Sequence, residues 1–521
     1  MITQAKAQKV PKPDFKQYKR IHQKALDLIR TGKAQTAIKF LAVVEEKLPK
    51  DAETQYMFAV ARCTLGQTDA AEVSVEKAIK FGLPVGRIIG GSHNGLDAIR
   101  KRSLIQRLLK QHGKKPVHGP MVGNLSGTSA TVWLRTADAS TVQVEANTLP
   151  PSPAGRVTAK VLTRRKHDFV AKTVLKGLKP KTRYTYTVTI DGQKNRADNQ
   201  LFRTFSKSHQ AGKFRLAFGG GAGFVPQHEY IWNTIAATRP DALFQLGDNV
   251  YIDNTNVMDM HHYCYYRRQS RPEYRSLVAG LSVFSIWDDH DFGTNDCSGG
   301  PEIESPDWKR PVYEIFRDNW ANPGYGGGDK QPGIWWDSYI NDVHFICLDG
   351  RYYRTNPKKT KGELSMLGPA QKRWLLSTIK NSRGTFKVLI SPVPWVFKAK
   401  GDSNDTWNGF KKERNEIFTF LNKNKVEGVV LMSADRHRSD LWKIDRPSDY
   451  ALYEFNSSRL TNQHVHSTMK EAIFSYNAKQ SFGTVDFDTT TADPTATYRI
   501  HTIDGEQVFQ HTVKRSNLNL R

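Results

Sequence analysis

Residues 285–296 read SIWDDHDFGTND, and this stretch decides how the rest of the chain is interpreted. It begins within an apolar run, residues 281–286, which predicts a buried strand. Four aspartates, one histidine and one asparagine then follow within nine residues. Like charges repel and burial removes their hydration, so a bound cation would remove the cost of such a cluster. Because Asp, Asn and His are ligands of divalent metals, the stretch predicts a metal site, with an acidic solvated turn as the alternative.

The same arrangement recurs along the C-terminal part of the chain. Short apolar runs that end in turn residues predict five more strands, at positions 216–218, 242–246, 343–348, 386–390 and 428–432. Aspartate follows three of these runs, as Asp248, Asp349 and Asp435. In an α/β sheet the ligand crevice lies outside the carboxyl ends of the strands. One metal-binding rim would therefore explain all four acidic strand ends together.

The chain is long and strongly basic. Its 521 residues are enough for roughly three domains at ~150 residues each. Lys and Arg number 77 against 51 Asp and Glu, and the formal net charge of +26 favours anionic substrates or partners. General surface solubility would explain the same charge. We find no basic run of the kind that marks a nucleic-acid-binding arm.

The sequence lacks the signals of membrane insertion and secretion. No run of about 18 apolar residues predicts a membrane-spanning helix. Residues 1–18 are polar and rich in lysine, without the apolar segment of a secretory signal. The four cysteines, at positions 63, 264, 297 and 347, form no paired motif, which indicates a reducing compartment. We therefore expect a cytoplasmic protein, with a periplasmic or secreted location as the alternative.

Residues 1–115 are expected to form a helical region with an internal repeat. Apolar residues recur there at three- and four-residue spacing, and a pattern of small residues returns after 34 positions. Ala25, Gly32 and Ala37 in the first unit correspond to Ala59, Gly66 and Ala71 in the second. This period resembles tetratricopeptide repeats. Two such units would form either a peptide-binding groove or a structural N-terminal cap.

Residues 116–208 are expected to form a small antiparallel β-sandwich. Apolar and polar residues alternate in several short runs, and the Asp191-Gly192 pair predicts a hairpin turn. The segment LKGLKPKTRYTYTV, residues 175–188, resembles fibronectin type III-like domains. A packing or orienting role beside the third domain, residues 209–521, is the simplest expectation for this module.

Five motifs occur in order in the third domain: FQLGDNVYID, IWDDHDFGTND, CLDGRYYR, LMSADRH and YEFNSSRLTN. Together they resemble the PhoD-like alkaline phosphatase family, within the calcineurin-like metallophosphatase superfamily. The resemblance implies an α/β domain of two mixed sheets flanked by helices, with a metal cluster at one edge. It also implies hydrolysis of phosphate monoesters and diesters by a metal-activated water, and calcium and iron as cofactors.

The resemblance also implies residue roles. The residues that would hold or order the metals are Asp248, Tyr251, Asp289, Asn295, Asp435 and His437. Asp248 would bridge two ions, since a carboxylate can span cations ~3.5–4 Å apart. Tyr251 would add a phenolate, and Asp289 and Asn295 would serve the second ion. His290 would lie close to the phosphate, and Arg351 would contact a phosphoryl oxygen, for which its planar guanidinium is suited.

The chain departs from the family at the first motif. The family has a cysteine iron ligand there, whereas this chain has Gly221 within Gly219-Gly220-Gly221. The remaining ligands are oxygens and imidazoles, which favour two or more ions of calcium, magnesium or manganese over iron. A tight glycine turn with no metal nearby is the alternative interpretation.

Two function classes follow from these observations. The first is a metal-dependent phosphoesterase acting on a phosphate-ester substrate. The second is a catalytically weak or inactive relative that serves as a scaffold, with its helical repeats binding a protein or peptide. Retention of the chargeable groups at positions 248, 289, 290, 435 and 437 favours the first class, and the missing thiolate favours the second.

Overall fold

The computed structural model describes residues 10–152, 155–446 and 449–520. The helices within these residues are α1 Tyr18–Arg30, α2 Ala34–Lys47, α3 Ala52–Thr64, α4 Thr68–Lys80, α5 Gly86–Ile89, α6 Ser103–His112, α7 Ile231–Ala237, α8 Met258–Gln269, α9 Pro272–Val278, α10 Asp289–Phe292, α11 Lys309–Asn319, α12 Gly368–Lys380 and α13 Lys411–Lys423.

The strands before residue 300 are β1 His118–Gly123, β2 Ser129–Arg135, β3 Thr141–Thr148, β4 Val157–Leu162, β5 Val170–Lys176, β6 Arg183–Ile190, β7 Gln193–Asn195, β8 Leu201–Arg203, β9 Lys213–Gly219, β10 Ala242–Leu246 and β11 Ser282–Ile286. Those after it are β12 Trp336–Ile340, β13 Val343–Cys347, β14 Phe386–Ile390, β15 Ala399–Asp402, β16 Val429–Ser433, β17 Ser439–Ile444, β18 Leu452–Ser457, β19 Phe474–Tyr476, β20 Ser481–Asp488, β21 Thr495–Thr502 and β22 Gln507–Lys514.

The N-terminal region forms two helical hairpins, α1–α2 and α3–α4, with the expected 34-residue spacing. The repeated alanines are fully buried where the helices approach each other: Ala25, Ala37, Ala59 and Ala71. Gly32 and Gly66 lie just beyond the ends of α1 and α3 with φ of 78° and 73°, a conformation that only glycine adopts without cost. The tetratricopeptide resemblance itself stays a prediction. Helix α1 packs against α8, where the Gln23 side chain donates to the Cys264 Sγ at 3.1 Å.

Two mixed sheets enclose the main core. The nine-stranded sheet has the order β22-β21-β20-β9-β10-β11-β1-β2-β5, and the seven-stranded sheet has the order β12-β13-β14-β16-β18-β17-β19. Phenylalanines from the two sheets meet between them, with the Phe244 and Phe345 ring centroids 4.8 Å apart. Aromatic pairs of this kind add stability beyond the area that they bury.

The six strands expected from the apolar runs are confirmed, as β9, β10, β11, β13, β14 and β16. Within each sheet the three strands run parallel, so their carboxyl ends lie at one edge. Three of these strands belong to each sheet, and loops from both sheets line one cavity, through Asp289 after β11 and Asp435 after β16.

The segment 116–208 differs from a free-standing sandwich. Strands β3, β4, β6, β7 and β8 form a separate sheet, but β1, β2 and β5 belong to the nine-stranded sheet. Strand β1 pairs in parallel with β11, with Val122 opposite Ser282 and Gly123 opposite Val283. Sequence patterns do not reveal this pairing because backbone hydrogen bonds carry no residue signature. The domain boundaries at 115/116 and 208/209 stay a prediction.

The described part of the chain contains no helix that is both long and apolar enough to cross a membrane.

Candidate metal centre

The loops after β10 and β11 approach each other closely enough to demand a glycine. Gly247 has φ of 100°, and a Cβ on it would lie 2.6 Å from the Cβ of Asp288. This close approach places Asp248 beside the acidic stretch that follows β11. Oxygens of Asp248 and Asp289 and a ring nitrogen of His290 lie within 4.8 Å of one another. The two strand ends therefore build one cluster, as the sequence indicated.

Tyr251 connects this cluster to the loop after β16. Its hydroxyl donates to Asp248 Oδ2 at 2.7 Å and lies 3.5 Å from His437 Nε2. It also accepts a 2.6 Å hydrogen bond from Asn462 Nδ2. All four of these residues are buried. Sequence reasoning singled out Asp248, Tyr251 and His437 but not Asn462, although Asn462 closes the fifth motif.

A second cluster shares Asp289 with the first. Oxygens of Asp289, Asp296 and Asp405 lie within 4.8 Å of one another. Asp405 comes from a loop that no motif covers, so sequence reasoning missed it. Asn295, expected at the second ion, is exposed and lines the cavity beside this cluster.

The residues fit bound cations. Asp248 Oδ1, Asp288 Oδ2 and His437 Nδ1 are buried and make no hydrogen bond within the described structure. Burial raises the pKa of Asp248 well above its usual value, and Asp289 and Asp288 add to this against the opposing effect of His290. Buried acceptors that lack donors and repel one another are stabilised by positive charge. Two divalent ions around Asp289 would supply that charge.

Several expected ligands have an unusual backbone conformation. Asp248, Tyr251, Asp435 and His437 have φ between 48° and 64°, in the left-handed region. Each such residue costs about 1–3 kcal/mol, and this strain persists at functional sites where the surroundings enforce it. Asp435 and His437 line the same cavity as Asp289 and His290. Although burial opposes the effect, Lys400 and Arg436 lower the pKa of Asp435.

His290 is oriented by a residue that sequence reasoning did not identify. Its Nδ1 hydrogen-bonds to Asp253, and its ring stacks on Tyr251 with centroids 4.5 Å apart. Burial acts to lower the pKa of His290, but Asp289 and Asp248 outweigh it and raise the pKa to about 10. Because Nδ1 is engaged by Asp253 and His290 lines the cavity, Nε2 is the ring nitrogen left for a substrate or a metal.

Arg351 lies elsewhere than expected. Its guanidinium is fully buried and donates to Asp288 Oδ1 at 2.6 Å and to Asp405 Oδ1 at 2.8 Å. It does not line the cavity. Its charge is compensated by ion pairs with three buried aspartates, Asp288, Asp289 and Asp405, and the contact with a phosphoryl oxygen stays a prediction.

Asp349, the fourth acidic strand end, belongs to neither carboxylate cluster. Its carboxylate accepts the Trp287 Nε1–H at 2.8 Å and the backbone N–H groups of Ile334, Arg351 and Tyr352. These hydrogen bonds satisfy the buried carboxylate of Asp349 within its turn. Of the four acidic strand ends, two therefore contribute to the clusters, through Asp248 and Asp289, and Asp435 lines the same cavity, while metal binding at this rim stays a prediction.

A family model described as PhoD-like phosphatase matches residues 216–499, more than half of the chain. The chain belongs to the PhoD-like phosphatase family. A second model, a domain of unknown function (DUF7800), matches residues 114–206. Alkaline phosphatase D of Bacillus subtilis (strain 168) is 24% identical over 335 residues, which cover 53% of this chain and 57% of that protein. The chain thus matches little more than half the length of this curated relative.

Solved structures support the same fold. The structure of PhoD has a TM-score of 0.65 and 15% identity, covering 77% of this chain and 90% of that one. The purple acid phosphatase PPD1 from yellow lupin (Lupinus luteus) seeds has a TM-score of 0.54 and 11% identity, covering 77% and 75%. The domain has the α/β fold of these phosphatases, with two mixed sheets, as the motifs indicated.

The glycine at the family's cysteine position cannot easily carry a side chain. Gly221 has φ of 70°, and a Cβ there would lie 2.8 Å from the backbone nitrogen of Arg459. We expect Gly221→Cys and Gly221→Ala to destabilise the protein equally, by more than the ~1–2 kcal/mol of the left-handed conformation alone. Urea unfolding and iron content by mass spectrometry would measure both effects.

Gly32→Ala is the matched control for Gly221. Gly32 has φ of 78°, but a Cβ added to it would meet no atom within 4 Å, so it isolates the conformational cost. Iron that rises in Gly221→Cys and not in Gly221→Ala would contradict the expectation, since it would place the thiolate at the cluster.

The cluster opens into a cavity of about 490 Å³. Part of its wall comes from the N-terminal region, through residues 16–20, and part from Asn462, Gln463, His464 and His466. Burial, together with nearby Arg20, lowers the pKa of Lys19 to about 7. No local sequence signal marks these residues, because the apolar pattern of the helical region reflects its own repeat.

Proposed function

We propose that this chain is a metal-dependent phosphoesterase of the alkaline phosphatase or phosphodiesterase type. The observation that carries the proposal is Asp289, which belongs to two adjoining carboxylate clusters in an open cavity. A shared carboxylate between two cation positions is the arrangement that two-metal hydrolysis requires. Family membership supports the same reaction class.

The ligands we propose are divided between two positions. Asp248 and Asp289 would each serve both ions, with Tyr251 and His437 beside one position and Asn295 beside the other. Asp435 would complete this set, and the additional carboxylates are Asp296 and Asp405. When bound, the ions supply a nucleophilic water near neutral pH and neutralise charge on the phosphoryl oxygens.

Two side chains of the protein itself would orient the substrate and the metal ligands. His290, anchored by Asp253, would present Nε2 to the phosphoryl group or the leaving oxygen. Arg351 would act from behind, because its ion pairs hold Asp288 and Asp405 in position while their charges remain partly compensated. We propose that Arg351 is a positioning residue.

Calcium, magnesium or manganese are the ions that we propose. The first cluster offers carboxylate oxygens and an imidazole, the second offers carboxylate oxygens, and no cysteine sulfur of the described residues belongs to either. Cys297 directly follows Asp296, but its sulfur lies against Gly293, where a Cβ would be 2.4 Å away. Oxygen-rich sites favour these hard cations over iron.

The test of the proposal is metal content and hydrolysis measured together. Purified without chelators, the protein should contain about two metal ions per chain and cleave p-nitrophenyl phosphate or its bis-ester at alkaline pH. EDTA should remove the activity, and added calcium, magnesium or manganese should restore it. A folded protein with less than about half an ion per chain and no hydrolysis would favour the scaffold alternative instead.

A further inference from the structure

Helix α1 of the N-terminal region is fixed against the metal-centre loops by polar contacts. The Gln23 side chain donates to the Tyr251 carbonyl at 2.6 Å, and Arg20 forms an ion pair with Asp253. From the other side, Arg267 Nη1 donates to the Lys19 carbonyl at 3.4 Å. Partly and fully buried hydrogen bonds of this kind hold an element in one orientation. Lys19 therefore has a defined position beside the site.

The Lys19 ammonium is buried and has too few partners. The residue is 9% exposed, and its Nζ donates to Asn462 Oδ1 at 3.1 Å and lies 3.8 Å from the centre of the Tyr251 ring. Within the described residues no carboxylate oxygen lies within 4.0 Å of it. An ammonium has three donors, so two remain for other acceptors. A buried cation without an anion carries a desolvation cost that a bound anion would relieve.

The other lysine and arginine side chains around the cavity are either paired with carboxylates or exposed to solvent. Arg20 pairs with Asp253, and Lys400 pairs with Asp296 and Asp405. Lys16 is exposed to solvent. Lys19 thus differs from its neighbours in being both buried and without a carboxylate, while it lines the same cavity as Asp289 and His290.

We propose that Lys19 binds a phosphoryl oxygen of the substrate, so that the N-terminal helical region completes the active site. The ligand is a tetrahedral oxyanion, either the phosphate ester or the inorganic phosphate product, and the inference rests on the proposed function. Lys19 lies outside residues 216–499, so this contact comes from a part of the chain that the family model does not include. The helical region then serves as a wall of the site and not as a separate docking array.

The test compares Lys19→Met with the wild-type, metal-loaded, full-length protein. Inorganic phosphate is titrated by calorimetry, and KM and kcat are measured with p-nitrophenyl phosphate, both at neutral pH, because the pKa of Lys19 lies at about 7. Loss of a charge-assisted hydrogen bond should weaken phosphate binding about 10- to 100-fold and raise KM similarly. Lys19→Arg should recover part of the affinity, because it restores a cation at the same place.

Lys24→Met is the matched control. Lys24 lies on the same helix, is exposed and, among the residues that the structure describes, forms an ion pair with Asp27 alone. Its replacement should leave phosphate affinity, KM and melting temperature unchanged. Where Lys19→Met gives no folded protein, Lys19→Gln replaces it, since an amide retains a donor for Asn462 but removes the charge.

The outcomes separate this inference from the proposed function. A folded Lys19 variant with wild-type phosphate affinity and only a lower melting temperature would overturn the inference and leave the hydrolase intact. If Lys19→Met binds phosphate more weakly than the wild type, but the wild type itself hydrolyses no ester, the inference is supported and the proposed function is overturned.

Discussion

Asp248→Asn is expected to remove activity by more than about 10³-fold, beyond what a single transition-state donor contributes. An amide offers one neutral oxygen where the carboxylate offers two charged ones, so it cannot bridge two cations. Metal content should fall from about two ions per chain to one or fewer. Mass spectrometry of the metals beside kcat/KM would measure both.

The same substitution should have the opposite effect on the metal-free protein. Burial raises the pKa of Asp248, and repulsion from Asp289 and Asp288 adds to this against the opposing effect of His290. Removing one charge from this group should maintain or increase the melting temperature in EDTA, whereas the metal-loaded wild type should be more stable than the variant. Opposite shifts in the two conditions distinguish lost ligation from general damage.

Asp349→Asn is the control for Asp248→Asn. Both aspartates follow a strand, but Asp349 accepts hydrogen bonds from Trp287 and from backbone N–H groups. Its replacement should lower stability by about 1–3 kcal/mol and leave metal content unchanged. Equal metal loss in the two variants would refute the bridging role of Asp248.

Arg351→Met is expected to destabilise the protein by about 3–5 kcal/mol. The guanidinium is fully buried and contacts both Asp288 and Asp405, so its loss leaves buried carboxylates uncompensated. Arg351→Lys should rescue little, because a single ammonium cannot donate to both carboxylates in the same geometry. Urea unfolding would measure the loss.

A second substitution makes the Arg351 prediction specific. Arg351→Met combined with Asp405→Asn should be more stable than the sum of the two single changes predicts, since the second change removes one unpaired charge. A rise in KM for p-nitrophenyl phosphate with wild-type stability would instead return Arg351 to direct phosphate contact.

The sequence was sufficient for the strands and for the residues that follow them. Apolar runs ended by Asp predicted β10, β11 and β16, and parallel strands necessarily bring their carboxyl ends to one edge. Asp248 and Asp289 were accordingly expected to meet, and the structure brings them together.

Side-chain direction and long-range docking could not be predicted in the same way. Arg351 follows an Asp-Gly turn whether it faces the cavity or the carboxylates behind it, and the choice depends on Asp288 and Asp405, far away in sequence. Lys19 is separated from Tyr251 by more than two hundred residues. Its neighbours in the sequence reflect helix packing alone, so no local pattern distinguishes it from a surface lysine.

The parallel pairing of β1 with β11 has a consequence for how this protein could arise or diverge. Residues 114–206 and 216–499 match separate family models, yet backbone hydrogen bonds join them in one sheet. Loss of the first segment by gene rearrangement would bare one side of β11, the strand that leads into Asp288 and Asp289. An uncovered strand edge invites intermolecular pairing. Separation of the two modules is therefore physically disfavoured, because each supplies strands that the other needs to complete the nine-stranded sheet.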